Sequence, residues 1–173
     1  MNLRKAEKNE FEAVRAMYWE LIDEMRDAEY RPLWEKNVYP ADDQLREAIE
    51  KGELYVCELD GELAAAMIVN HACSPEYAEV EWGVDAKPEE VTVIHALGVL
   101  PKHHRKGVSH FMVDNAIRIA RENGQKAVRL DVLHGNLPAF RLYERHGFVF
   151  RKELTMFYED TGWTAFSLYE LPL

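Results

Sequence analysis

The chain is most constrained by the run Val91-Thr92-Val93-Ile94-His95-Ala96-Leu97-Gly98-Val99-Leu100. It is nearly all apolar, of strand length and β-branched at its start, the pattern of a strand covered on both faces in the middle of a sheet. The chain then enters a short basic stretch, Pro101-Lys102-His103-His104-Arg105-Lys106-Gly107, which leads into a run of helical spacing. Met112, Val113, Ala116, Ile117, Ile119 and Ala120 give that helix a wide apolar face, and Asn123-Gly124 ends it. A strand delivering its chain to a basic, glycine-containing turn at a helix start is built to hold phosphate. Free amides and the positive end of the helix dipole face the anion, and nearby cations add to them.

The flanking sequence predicts alternating strands and helices. Leu3 to Ala6 reads as a short first strand. Asn9, with Glu12 three residues on, has the form of a capping box, and residues 10 to about 28 read as an amphipathic helix through Val14, Tyr18, Leu21 and Met25. Arg31 to Pro40 is a loop with two prolines; Asp42 then caps a helix burying Leu45, Ala48 and Ile49, which Gly52 ends. Residues 53 to 59 and 62 to 70 flank Asp60-Gly61 as a hairpin. Tyr77 to Trp82 is expected as a further strand, and Lys126 to Leu133 alternates Val128, Leu130 and Val132 against Arg129 and Asp131. Asn136 caps a short helix closed by Gly147, and Phe148 to Phe150 and Ala165 to Tyr169 are the last strands. With no repeat or linker in its 173 residues, the chain is expected to form one domain.

Charge narrows the function. A net charge of -10 disfavours nucleic acid as a partner, since phosphate contacts need a basic face; it would suit a cationic small substrate, and plain solubility accounts for it equally. There is no apolar run of membrane-spanning length, so no membrane partner is expected. Met1 to Glu7 has no signal-peptide core, and Cys57 and Cys73 read as free thiols, so a reducing cytoplasm is the expected location. Two cysteines give no metal-ligand spacing, so no metal is expected. The phosphate loop Gly-x-x-x-x-Gly-Lys-Ser/Thr is absent.

His104-Arg105-Lys106-Gly107-Val108-Ser109 resembles the acyl-CoA-binding turn of the GCN5-related N-acetyltransferases, whose pattern is Gln/Arg-x-x-Gly-x-Gly/Ala. The likeness continues in order. Arg129-Leu130-Asp131-Val132 matches that family's next strand, and Asn136-x-x-Ala139-x-x-Leu142-Tyr143-Glu144-x-x-Gly147-Phe148 matches its following helix and strand. His104 stands where the family has Gln or Arg, and Ser109 where it has Gly or Ala. The resemblance implies an α/β fold with a mixed, mostly antiparallel sheet flanked by helices. It also implies acetyl-CoA as co-substrate and direct acetyl transfer to a primary amine in a ternary complex.

The resemblance also assigns residues. The turn from His104 through Arg105, Lys106, Gly107 and Val108 to Ser109 would cradle the pyrophosphate. Leu97 and Val99 would offer backbone groups to the acyl and pantetheine amides, the Leu97 amide as oxyanion donor, and Asn136 would contact the cofactor arm. Tyr143 would protonate the leaving thiolate, a role a phenol suits because it stays protonated at neutral pH. For the base, the sequence leaves His95 and the carboxylates Glu81 and Glu79 open, beside an ordinary core histidine. Strand alternation points His95, Leu97 and Val99 to one side. Tyr30, Trp34, Tyr39 and Trp82 are candidate walls for the amine, which is read as a small amine, amino acid or peptide. The rival readings are a transferase for another acyl-CoA and a non-catalytic acyl-CoA sensor. The alternating C-terminal strands allow a homodimer.

Overall fold

The computed structural model describes residues 1–173. Seven strands form one sheet: β1 (Asn2–Lys5), β2 (Leu54–Leu59), β3 (Glu62–Asn70), β4 (Val91–Val99), β5 (Ala127–Leu133), β6 (Val149–Tyr158) and β7 (Gly162–Pro172). Their order is β1-β2-β3-β4-β5-β7-β6, and only β4 and β5 run parallel. The helices are α1 (Phe11–Glu24), α2 (Asp42–Glu50), α3 (Val108–Glu122) and α4 (Leu137–Arg145). No helix is long and apolar enough to cross a membrane.

Two cores sandwich the sheet. On one face α3 and α4 bury Met112, Val113, Ala116 and Tyr143 against Met67, Ile94, Leu130 and Val132. Full burial of side chains such as Met112 and Val113 contributes ~1.5–3 kcal/mol each. On the other face α1 and α2 bury Val14, Tyr18, Leu21, Leu45 and Ile49 against Val56, Ile68 and Ala96.

The hairpin at Asp60-Gly61 forms as its residues predict, with φ of 55° and 83°. Other expectations need correction. The chain enters α1 through a 3-10 turn, Lys8–Glu10, and Glu10 rather than Glu12 reaches back, accepting from the Glu7 N–H at 2.7 Å. That helix stops at Glu24. Tyr77 to Trp82 is no strand: Pro75–Glu79 is a 3-10 turn that drops Tyr77 and Val80 into a third, smaller cluster with Val91, Val93 and Leu168. The last two strands are far longer than their apolar centres and form a hairpin through Glu159, Asp160 and Thr161.

Two irregularities of β4 create a cavity. β4 pairs with β5 only through Val91–Val93, opposite Ala127–Arg129. Beyond that both strands continue but no longer bond, and the sheet opens. On its other side β4 pairs Ile68 with His95 and Ala66 with Gly98, so Ala96 and Leu97 together face Met67: a bulge, with Ala96 at φ 48°.

The bulge overturns the expected alternation. Leu97 and Val99 pack on the α3–α4 face. Ala96 belongs to the α1–α2 core, and His95 sits opposite Ile68, which also belongs to that core. One inserted residue reverses the parity of the strand. His95 and Leu97 therefore approach the opening from opposite faces of the sheet.

Candidate active site

The opening between β4 and β5 is part of one cavity of about 530 Å³. His95, Leu97, Val99, His104, Arg105, Val108, Ser109, Asn136 and Tyr143 all line it, so the structure brings most of the sequence-selected residues together. Lys106 and Gly107 lie on the same turn and are exposed.

The anion end is built by the turn before α3. Arg105 (φ 60°) and Gly107 (φ 81°) are both left-handed, and this coils the backbone immediately before the helix. The consecutive backbone N–H groups from Arg105 through His110 make no hydrogen bond within the chain; the first bond of the helix is Phe111 N–H to the Gly107 carbonyl, 3.0 Å. Nothing lies within 4 Å of where a Gly107 side chain would stand. His104 differs from its expected part. Its Nε2 lies 2.9 Å from the Val99 carbonyl oxygen, so the ring N–H ties the turn to the end of β4 instead of facing an anion. His103 is buried beside it, and neither ring nitrogen has a hydrogen-bond partner.

At the middle of the cavity, Asn136 caps α4, its side-chain oxygen accepting from the Ala139 N–H at 3.2 Å, and keeps its amide N–H₂ unspent. Tyr143 stands about two turns along that helix from Asn136, edge-on to Phe148. Burial raises its phenol above the ordinary value of 10.0. It therefore stays a donor at neutral pH.

The far end is acidic and aromatic. His95 Nε2 lies 2.9 Å from the Ala72 carbonyl oxygen and 3.1 Å from Asn70 Oδ1. A carbonyl can only accept, so Nε2 carries the hydrogen and Nδ1 holds the lone pair of the neutral ring. Burial lowers its pKa from 6.5, against the opposing pull of Asp131. Asp131 is the residue that sequence reasoning passed over. Its Oδ2 accepts from Tyr77 (2.8 Å) and Tyr158 (3.2 Å), and burial raises its pKa from 3.8. A signal for it existed: Asp131 falls out of step with Val128, Leu130 and Val132, which places it on the opposite face of β5, the one His95 shares.

Trp34, Tyr39 and Tyr158 form the aromatic wall, with ring centroids 5.7 and 6.3 Å apart in turn, and Tyr30 also borders the cavity. Trp82 does not. It stacks on the Arg129 guanidinium at 4.2 Å and donates to the Tyr77 carbonyl at 3.0 Å. Glu81 is exposed and stands outside the cavity. Its neighbourhood is fixed elsewhere: the Gly83 N–H donates to the buried Glu170 carboxylate at 2.8 Å, and Arg129 donates to the Val84 carbonyl at 2.9 Å. Glu79 lies on the same outlying segment, its carbonyl accepting from Lys152 at 2.9 Å.

Comparison with known proteins agrees with this architecture. The model of the acetyltransferase (GNAT) family matches residues 15–148. The chain belongs to the GNAT family. A search of curated protein sequences finds no match. Among solved structures, the GNAT fold recurs in the ribosomal-protein-alanine N-acetyltransferase of Brucella melitensis (TM-score 0.72, 14% identity, 100% of each chain covered). It recurs in yncA of Salmonella typhimurium, solved with its cofactor acetyl-CoA (TM-score 0.73, 18% identity, 100% of this chain and 94% of that one). A GNAT acetyltransferase of Listeria monocytogenes is similar again (TM-score 0.72, 20% identity, 99% and 94% covered). At these identities the likeness is one of fold. GNAT membership makes the chain an acyltransferase by family, with an acetyl-CoA-bound relative of the same shape.

Proposed function

We propose that this protein moves an acetyl group from acetyl-CoA to a primary amine by direct attack in a ternary complex. The observation that carries the reading is the single cavity at the β4–β5 opening, with an amide-lined turn at one end, Tyr143 in the middle, and His95 with Asp131 at the other.

The residues present fit acetyl-CoA. The unpaired amides of Arg105 to His110 at a helix start, with the Arg105 and Lys106 side chains, suit a pyrophosphate. The gap between β4 and β5 leaves strand-edge groups for an extended arm, and Asn136 has a spare donor beside it. When bound, acetyl-CoA supplies an acyl group activated as a thioester.

The chain's own residues do the rest. Leu97, the second residue of the bulge and without a registered partner in β3, presents its amide to the acyl oxygen. Asp131 and the aromatic wall hold the amine as an ammonium. His95 Nδ1 takes a proton from it, since the neutral ring is the favoured form. Tyr143 donates its hydrogen to the departing sulfur, and the phenolate takes up the proton that the acylated nitrogen sheds. The free thiols of Cys57 and Cys73 fit a reducing cytoplasm.

Acetyl-CoA consumption, followed as free thiol across a panel of amines, tests the reading. Acceptor-dependent thiol release with an N-acetylated product is expected. Tight acetyl-CoA binding with no transfer to any amine would instead identify an acyl-CoA sensor.

A further inference from the structure

Two residues that the transfer chemistry leaves unused stand behind His95. Asn70 is the last residue of β3 and pairs with Val93 of β4. Glu53 precedes β2, its backbone carbonyl accepting from the Val69 N–H at 2.9 Å. Three neighbouring strands therefore bring Glu53, Asn70 and His95 together.

Their hydrogen bonds run in one sense. The Asn70 amide donates to Glu53 Oε2 at 3.1 Å, while its Oδ1 accepts from the Ala72 N–H at 3.0 Å and lies 3.1 Å from His95 Nε2. The orientation of that amide is forced, since a carboxylate accepts and the Ala72 N–H can only donate. Oδ1 and the Ala72 carbonyl oxygen, 2.9 Å from Nε2, are then both acceptors, so the hydrogen of the neutral ring sits on Nε2. Nδ1 makes no hydrogen bond and is not enclosed, and His95 lines the cavity.

Glu53 acts through charge as well as through the amide. Bonding to a carboxylate polarises the Asn70 amide and makes its oxygen a better acceptor. Two acidic groups act on the ring, Asp131 on β5 and Glu53, and both favour the imidazolium that burial opposes. Asp131 is itself engaged by the Tyr77 and Tyr158 hydroxyls. From the other face, Tyr18 of α1 and Tyr39 of the loop after it meet the Ala96 carbonyl as neutral phenols.

We propose that Asn70 and Glu53 are positioning residues for His95. Asn70 fixes the ring as the Nε2–H tautomer with Nδ1 free for the amine. Glu53 holds the Asn70 amide in that orientation and supplies counter-charge once the ring is protonated. The proposal rests on His95 as the proton acceptor of the amine-acetylation reading.

The ring itself reports the result. Nitrogen NMR of protein carrying isotope-labelled histidine reads the tautomer and titration of His95 without turnover, its signals identified among the seven histidines by their loss in His95→Ala. The wild-type ring should be the Nε2–H tautomer. Asn70→Leu fills the space without an acceptor, so the Nδ1–H form should grow and the titration should move down by about 0.5–1 pH unit, the worth of one hydrogen bond. Glu53→Gln keeps an acceptor for the Asn70 amide, removes the charge and should move the titration the same way. Asn70→Asp combined with Glu53→Gln keeps each hydrogen bond and brings the charge against the Nε2–H, so the titration should move up by about 1 pH unit or more. A merely structural role gives no such reversal of sign. An unchanged tautomer and titration in Asn70→Leu overturns the proposal, as does a double variant that shifts down; no shift in Glu53→Gln overturns the part given to Glu53. The acid limb of kcat/KM, followed with an amine acetylated in the thiol-release panel, should track the ring through every variant. A ring that moves while the limb stays removes His95 as the base and leaves the positioning standing.

Discussion

The Tyr18 hydroxyl donates to the Ala96 carbonyl oxygen across 2.7 Å, joining the middle of α1 to the bulge of β4. Ala96 is left-handed there, a conformation that costs a non-glycine residue ~1–2 kcal/mol. The buried phenol both satisfies the carbonyl and holds the strand in that shape. Tyr18→Phe should remove about 1–3 kcal/mol of stability, because the carbonyl is left unpaired. In a domain of this size that is a fall of roughly 2–4 °C in Tm per kcal/mol. The turnover number should fall as well, since Leu97 is the second residue of the bulge. A thermal melt together with steady-state rates checks it; unchanged values in both would show that the bulge holds itself.

The same bulge marks where the sequence stops being legible. The apolar run of β4, the basic turn and the Asn136 cap are local patterns, and each formed where its residues predicted. The side on which His95 lies is not local. It depends on one residue inserted against β3, and an alternation count passes straight through Ala96 without a sign of it. Tyr77 to Trp82 misled for a related reason: its apolar residues alternate as in a strand, but Pro75 and the pull of Glu170 on Gly83 hold the segment off the sheet. Asp131 was hidden because a carboxylate in an alternating strand reads as a solvent-facing residue. The two hydroxyls that close on it come from distant parts of the chain, Tyr77 from the 3-10 turn and Tyr158 from the long β6–β7 hairpin.

His104 should matter to cofactor affinity and not to chemistry. Its ring bonds the Val99 carbonyl and so sets where the amide-lined turn stands relative to β4. In His104→Ala the KM for acetyl-CoA should rise about two- to tenfold, the worth of one such hydrogen bond, with little change in the turnover number. Glutamine at this position, which keeps a donor, should restore most of the loss.

Tyr143 should show the opposite split. It is buried on α4, a different element from the turn that holds the anion, and its hydrogen is needed only as the sulfur leaves. Tyr143→Phe is expected to lower the turnover number by about 10²–10⁴ while the acetyl-CoA dissociation constant stays near the wild-type value. Isothermal titration with CoA and initial rates on the same preparation distinguish the two effects.

His95 sets the expected pH dependence. Burial depresses its pKa below 6.5, so the ring in the fold is neutral at neutral pH. Activity, as kcat/KM, should therefore be flat at neutral pH and fall as pH drops through an ionisation below 6.5. The stability the ring contributes has the same sign, being complete above 6.5 and lost as pH falls towards the depressed value. In His95→Ala the acid limb should vanish along with most of the rate. If the limb persists in that variant at the same position, another group is the base.

Asp131 is the case where stability and activity should part. Burial raises its carboxyl pKa above 3.8, so the folded protein binds that proton more tightly than the unfolded chain does. Stability then falls as pH rises from 3.8 through the raised value, above which the cost of holding the charge is fully present. Asparagine keeps the shape and an acceptor oxygen for Tyr77 and Tyr158 while removing the charge. Asp131→Asn should raise Tm at neutral pH by about 2–4 °C, the shift that ~1 kcal/mol gives in a domain of this size. The gain should shrink as the pH is lowered through the raised value, where the wild-type carboxyl takes up its proton. The same variant should lose about tenfold or more in kcat/KM for an amine, because the ammonium loses its buried counter-charge. A less stable variant at neutral pH would show that the ionised carboxylate holds the fold together through the two tyrosines, and would leave the ammonium without this partner.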